Sequence, residues 1–333
     1  MSGGIEPKGE ACERPILRVC GLRKSFGNVQ AVDGVSFEVN PGEVVGFIGA
    51  NGAGKTTTMR MLATLEIPDS GTVEVGGWDA AQFPDEVRRL VGWMPDAYGA
   101  YGNMTVWDYL DFFARLLKLR GRERSERIAE IVEFSGLSEL LDRPMNGLSK
   151  GMAQRLCLGR ALLQKPRVLI MDEPAAGLDP KARLEFKNAV ALLKKSGVTI
   201  FISSHILSEL EEMCDGLLFI DRGKVLHHGA RGALRSGLIS GEKAHTWVEI
   251  CVAGSVDALM AWLPMAPGWG EVEAFSGGAR AVFSGVGDEA LAGELRRMVL
   301  EGIRVSGFHV RQRRLEEIFV DVLKSGREES TQS

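Results

Sequence analysis

The chain has 333 residues, with 44 acidic against 40 basic side chains, a formal charge of −4, and 45% hydrophobic residues. That length accommodates one large domain and a smaller one, and the charge balance gives no overall electrostatic reason to expect nucleic acid. No run of about 18 apolar residues predicts a membrane-spanning helix, and the five scattered cysteines form no CxxC pair, which predicts unpaired thiols in a reducing compartment.

From the start of the chain, MSGGIEPKGEACERP lacks the apolar region of a secretory signal and reads as a disordered lead over residues 1–14. Residues 16–48 alternate short β-type runs with Gly, Asn and Pro: ILRVCGL, VSFEV and, after the turn NPG, EVVGFI. EVVGFIGANGAGKTTTMRMLATL then predicts a strand, a glycine-rich loop and a helix. Residues 105–145 are rich in Leu, Arg and Glu and predict the body of an all-α insert, placed at about 97–150. In LSKGMAQR, Ser149 fits a helix N-cap, and Met152, Leu156, Gly159 and Leu163 form one apolar face until Lys165 and Pro166 stop the helix. Strand and helix alternate again through RVLIMDEP, ARLEFKNAVALLKK and VTIFISSH, which argues for a parallel α/β core over residues 15–229.

Composition changes at Gly229. GARGALRSGLISGEKAH predicts a linker over residues 230–245, followed by an accessory α+β domain over 246–325 and a disordered tail over 326–333. Thr246, Val248, Ile250 and Val252 share one face of a strand, and Val256, Leu259, Met260 and Leu263 recur at helical spacing. Two strand-like runs follow, EVEAF and RAVF, then a helix with Leu291, Leu295, Met298 and Val299 on one face. IRVSGFHV completes a βαββαβ order that fits a small ferredoxin-like domain, and a last amphipathic helix carries Leu315, Ile318, Phe319 and Val322.

Three segments carry chemistry. GANGAGKT matches GxxxxGK[ST] between a buried strand and a helix, where backbone amides form a nest for phosphate oxygens. Gly49, Ala50, Asn51, Gly52, Ala53, Gly54, Lys55, Thr56 and Thr57 make that loop, with Lys55 neutralising the β- and γ-phosphates and the Thr56 hydroxyl ligating magnesium. In VLIMDE, two carboxylates emerge at the end of an apolar strand, where α/β sheets place ligands. Asp172 is expected to hold magnesium and Glu173 to act as the base that polarises the attacking water. The third segment, LSKGMAQR, has little chemistry of its own. Alone it reads as a plain capped helix, but its N-terminus offers free amides and about half a positive charge. Since the chain already has a phosphate loop, the economical reading gives this second donor to a phosphate bound by another copy.

Taken in order, these motifs resemble the ATP-binding cassette (ABC) ATPases over about residues 16–230. LSKGM resembles their signature, ordinarily LSGGQ, and AAGLDP their D-loop, with Asp179 at its characteristic position. In ISSH the resemblance makes His205 the switch histidine that holds the γ-phosphate and water, and in LRKSFG it makes Phe26 the aromatic that stacks on adenine. Ser149 and Gly151 are the signature residues aimed at the γ-phosphate; Lys150 and Met152 depart from the usual glycine and glutamine. Asp96 stands where the family has its Q-loop glutamine; a carboxylate can contact magnesium but cannot donate a hydrogen bond.

The resemblance implies an ATPase that uses ATP and Mg2+, separate membrane (permease) subunits, a second cassette subunit of the same kind, and a place on the cytoplasmic face of the membrane. The tail RLEEIFVDVL is similar to that of ABC-2-type exporters of the drug-resistance and antibiotic-export kind. The alternative is a soluble single-cassette ATPase acting on a nucleic-acid or ribosomal machine. AYGAYGNMTVWDYL carries Tyr98, Tyr101, Met104, Trp107 and Tyr109, and reads either as core or as a partly exposed aromatic groove for a partner helix. His227 and His228 read as surface imidazoles, and RGRERSERIAE as a solvated helix face.

Overall fold

The computed structural model describes residues 14–96, 99, 101, 104–230, 246–285 and 287–311. Tyr98, most of the expected linker and the amphipathic segment with Leu315, Ile318, Phe319 and Val322 lie outside the described residues. Contacts divide the chain between His228 and Gly229 into two units.

The first unit contains two sheets. β1 (Leu17–Phe26), β2 (Val29–Val39), β4 (Ser70–Val75) and β5 (Trp78–Asp79) form an antiparallel sheet in the order β2-β1-β4-β5. The second sheet has β3 (Val44–Ile48), β6 (Val91–Met94), β7 (Val168–Met171), β8 (Thr199–Ser204), β9 (Gly216–Asp221) and β10 (Lys224–Ala230), in the order β10-β9-β3-β8-β7-β6. From β9 to β6 every neighbour is parallel. Parallel strands covered on both faces are apolar throughout rather than alternating: every residue of β3, β7 and β8 is buried. Phe37 of β2 stacks on Phe201 of β8, ring centroids 5.3 Å apart, so the two sheets share one core. Burying each such ring is worth about 1.5–3 kcal/mol.

Helices fill the rest of the first unit: α1 (Lys55–Leu62), α2 (Pro84–Leu90), α3 (Val106–Leu116), α4 (Gly121–Phe134), α5 (Lys150–Leu162), α6 (Pro180–Lys195) and α7 (Leu207–Glu211). Thr105 and Asp108 form a capping box that starts α3, and the hydrogen bonds from Thr105 hold the Asp108 carboxyl below its ordinary range. α4 and α5 approach closely because Gly159 leaves no side chain between them; a Cβ there would sit 2.8 Å from Ile131. Arg160 donates to Trp93 O at 2.7 Å, tying α5 to β6. Arg127 donates to the carbonyls of Leu162 and Leu163, satisfying the end of α5.

The second unit has the order β11 (Thr246–Val252), α8 (Asp257–Trp262), β12 (Trp269–Phe275), β13 (Gly278–Phe283), α9 (Asp288–Leu300) and β14 (Val305–Arg311). Its antiparallel sheet runs β12-β13-β11-β14, the strand order of a ferredoxin-like βαββαβ unit. Val248, Ile250, Leu259, Leu263, Phe283, Leu291 and Met298 make its core. One expectation is corrected here: Val299 is 56% exposed. It stands one residue past Met298, about 100° round the helix, and Ile303 in the following turn supplies the buried contact instead.

Candidate functional site

The sheet order places β8 between β3 and β7, so the three strands end side by side. Past Ile48 the chain turns through residues 49–54 into α1. A Cβ at Gly49 would lie 2.5 Å from Ile220 O, and one at Gly54, where φ is +103°, would lie 2.4 Å from Ala31 O. Only glycine fits between this loop and the strands behind it. Gly54 is also the N-cap of α1; it has no side chain to accept from the first-turn amides, and that turn holds no acidic residue. Those donors and the helix dipole are therefore directed to an anion. A cavity of about 340 Å³ opens at this point, lined by Ala31, Ala50, Asn51, Gly52, Gly54, Lys55, Thr56, Thr57, Asp96 and Glu173.

Lys55 is only 6% exposed. Its Nζ donates to Gly49 O at 2.7 Å and to Ala50 O at 3.3 Å, and stands 3.2 Å from Glu173 Oε1. That pair is Coulombic without hydrogen-bond alignment, since Glu173 Oε1 is buried with no hydrogen-bond partner. Glu173 Oε2 meets His205 Nδ1 at 2.7 Å and accepts from the His205 backbone N–H at 3.3 Å. A carboxylate has no proton to give, so Nδ1 is the donor. Asp172, 2% exposed, lies behind Glu173 and donates its backbone N–H to Met94 O at 2.8 Å.

The expected loop residues, Asp96, Glu173 and His205 thus meet around one cavity or one contact from it, with Asp172 beside them. Phe26 stands apart: it ends β1, half exposed beneath the Lys24 ammonium at 5.3 Å, and does not line the cavity. Ser149, Gly151 and Asp179 belong to a second cluster. Ser149 caps α5 by accepting from Met152 N at 3.4 Å, and Asp179 caps α6 by accepting from Ala182 N at 2.8 Å. A Cβ at Gly151 would be 3.0 Å from that of Ala182, so the two helix starts are in contact.

Sequence reasoning missed three residues that support the site. Ala31 lines the cavity. Gln154, 3% exposed, donates to Pro174 O at 2.5 Å and links α5 to the segment after Glu173. Ser203 bridges Asp172 and Glu173. All three act through contacts between distant segments, which no local motif announces. His227 also differs from expectation. It is half buried beside Phe219 with Nε2 unpartnered, and burial lowers its pKa, assisted by the His228 charge.

The chemistry of the donors suits Mg2+: the Thr56 hydroxyl and the Asp96 and Asp172 carboxylates are hard oxygen ligands. No group of three His, Cys, Asp or Glu among the described residues forms a closed cage. A cation here would share its shell with phosphate oxygens, as magnesium commonly does.

The profile of the ABC transporter family matches residues 32–176. Nod factor export ATP-binding protein I of Ralstonia nicotianae is 40% identical over 215 residues, 65% of this chain and 67% of that protein. The uncharacterized ABC transporter ATP-binding protein YxlF of Bacillus subtilis is 34% identical over 308 residues, 92% of this chain and 99% of that protein. Among solved structures, an ATP-binding subunit of an ABC transporter superposes with a TM-score of 0.61 at 30% identity, covering 67% of this chain and 93% of its own.

Proposed function

Because the chain belongs to the ATP-binding subunits of ABC transporters, and is an ATPase, we propose that it powers an ABC-2-type exporter through separate membrane subunits, on the cytoplasmic face of the membrane. The similarity to a protein named for Nod factor export supports the direction of transport. None of the described helices is long and apolar enough to cross a membrane, which agrees with the transported molecule's path lying in other chains. A soluble cassette working on ribosomes or DNA is not favoured, since the two relatives named above are an export and a transporter ATP-binding protein.

The observation that carries the reading is the convergence of Lys55, Glu173 and His205 on the phosphate loop. The loop amides and Lys55 hold the β- and γ-phosphates of ATP. Thr56, Asp172 and Asp96 would hold Mg2+, which would supply charge neutralisation on the phosphoryl oxygens when bound. Glu173 accepts a proton from the water that attacks the γ-phosphorus, and the bond to the leaving ADP oxygen breaks. His205 Nδ1 donates to the Glu173 carboxylate and holds it in place, and the His205 side chain is read as the switch that holds the γ-phosphate and water. Phe26, which does not line the cavity, is read as the aromatic that stacks on adenine.

Ser149, Gly151 and Asp179 are read as completing a second copy's site, so that two chains enclose two ATP molecules head-to-tail. None of the three lines the cavity of its own chain, which supports this. The test is Glu173→Gln. Nucleotide binding should persist, hydrolysis should fall by about 100-fold or more, and ATP but not ADP should drive the variant into dimers on size-exclusion chromatography. Hydrolysis at the wild-type rate would remove Glu173 from its role.

A further inference from the structure

We propose that Ser203 is a positioning residue for hydrolysis, one hydroxyl that sets both carboxylates of the site; this rests on reading Asp172 as the magnesium residue and Glu173 as the base. Ser203 belongs to β8, the strand between β3 and β7, and is fully buried. It pairs with Phe47 on one side, while the preceding Ile202 pairs with Met171 on the other. A polar atom in such a strand has to find partners within the protein. Ser203 Oγ has two: it donates to Asp172 Oδ1 at 2.7 Å and accepts from the Glu173 backbone N–H at 2.8 Å. A hydroxyl can do both at once, and neither alanine nor valine can do either.

The second bond acts on strained backbone. Glu173 has φ +49°, a left-handed conformation that a glutamate adopts only when its surroundings hold it there. Ser203 anchors that turn from the neighbouring strand, and the Glu173 carboxylate then reaches Lys55 on one side and His205 on the other. The first bond fixes a carboxylate oxygen of Asp172. Ser203 itself does not line the cavity, so it acts through Asp172 and Glu173 and not on the nucleotide.

The experiment compares full-length Ser203→Ala, Ser203→Thr, Glu173→Gln and the Ser203→Ala/Glu173→Gln double variant. Ser203→Ala should lower kcat by about 10- to 100-fold, the scale set by misplacing a reacting group. KM for ATP and the affinity for a fluorescent ATP analogue should stay within about threefold of wild type, a split that general loss of packing would not produce. The part of the effect that passes through Glu173 cannot be lost twice, so the double variant should be slowed relative to Glu173→Gln by less than the factor that Ser203→Ala causes alone. Mn2+ affinity in the presence of ADP, read by electron paramagnetic resonance without turnover, should weaken in the alanine variant. Ser203→Thr, which keeps Oγ and suits a strand, should recover both turnover and Mn2+ affinity.

Wild-type kcat in Ser203→Ala would overturn the proposal, as would additive losses in the double variant or a threonine variant as slow as the alanine one. If Ser203→Ala fails to fold, Ser203→Cys, with similar shape and a weak donor, takes its place with the same expectations. Glu173→Gln turning over at the wild-type rate would instead overturn the reading of the base. A slow Glu173→Gln beside a fast Ser203→Ala would overturn only the role of Ser203.

Discussion

Lys55 and Glu173 show how covered charge is kept in working order in this protein, with the exposed His205 as a second partner of the carboxylate. Each depends on a partner from another strand end, and the loop that supports Lys55 depends on glycines with no room behind them. Gly54→Ala tests that dependence. Its Cβ would need to occupy a position 2.4 Å from Ala31 O at a φ of +103°. Strain of that kind costs about 1–3 kcal/mol before the clash is counted. The variant should lose nucleotide affinity by at least about tenfold, as 1.4 kcal/mol corresponds to tenfold, with a lower melting temperature; isothermal titration and a thermal scan check both. Lys55, Asp172 and Glu173 could be read from the sequence because GxxxxGK[ST] and an apolar strand ending in two acids are short, contiguous patterns. Ser203 could not, because its partners lie 31 and 30 residues away and meet it only when β7 and β8 pair.

α3 divides the aromatic cluster that the sequence left undecided between core and groove. Tyr109 is 2% exposed and packs 4.8 Å from Phe113, and burial pushes its pKa up to about 12. Tyr101, Trp107, Phe112 and Leu116 are exposed. The alternation of buried and open aromatics along one amphipathic helix follows from its 3.6-residue period, but which aromatic faces inward depends on where α4 and α5 lie. An exposed aromatic face on the insert suits the short helix of a membrane subunit. Tyr101→Glu and Trp107→Glu should therefore leave the ATPase rate of the isolated chain and its melting temperature near wild type while abolishing co-purification with the membrane subunit. Undisturbed co-purification and transport would move the docking surface elsewhere. The same periodicity argument was less informative near the end of α9, where helical spacing grouped Val299 with Met298 but packing selected Met298 and Ile303.

The two units have separate cores, and that has consequences for stability and for assembly. The alternation in TWVEICV and the helical spacing of Leu259 and Leu263 made the second core legible, since a half-buried sheet and two short helices leave a clean pattern. Leu259 is fully buried in it. Leu259→Ala should destabilise the second unit by about 2–5 kcal/mol while the first unit continues to bind and hydrolyse ATP; hydrogen exchange resolved along the chain would detect the difference. Equal loss of protection in both units would show that they unfold together.

Head-to-tail pairing makes the strongest demand on the account, because it assigns one ATP to residues of two chains. Mixing Lys55→Ala chains with Ser149→Arg chains measures it most directly. Each variant alone breaks both sites of a dimer, whereas a mixed dimer retains one site with the phosphate loop of one chain and Ser149 of the other. The account predicts that each variant alone is inactive and that ATP hydrolysis returns on mixing, in proportion to the mixed dimer formed. Mixed dimers shown by differential tagging to be present, yet without recovered hydrolysis, would contradict it.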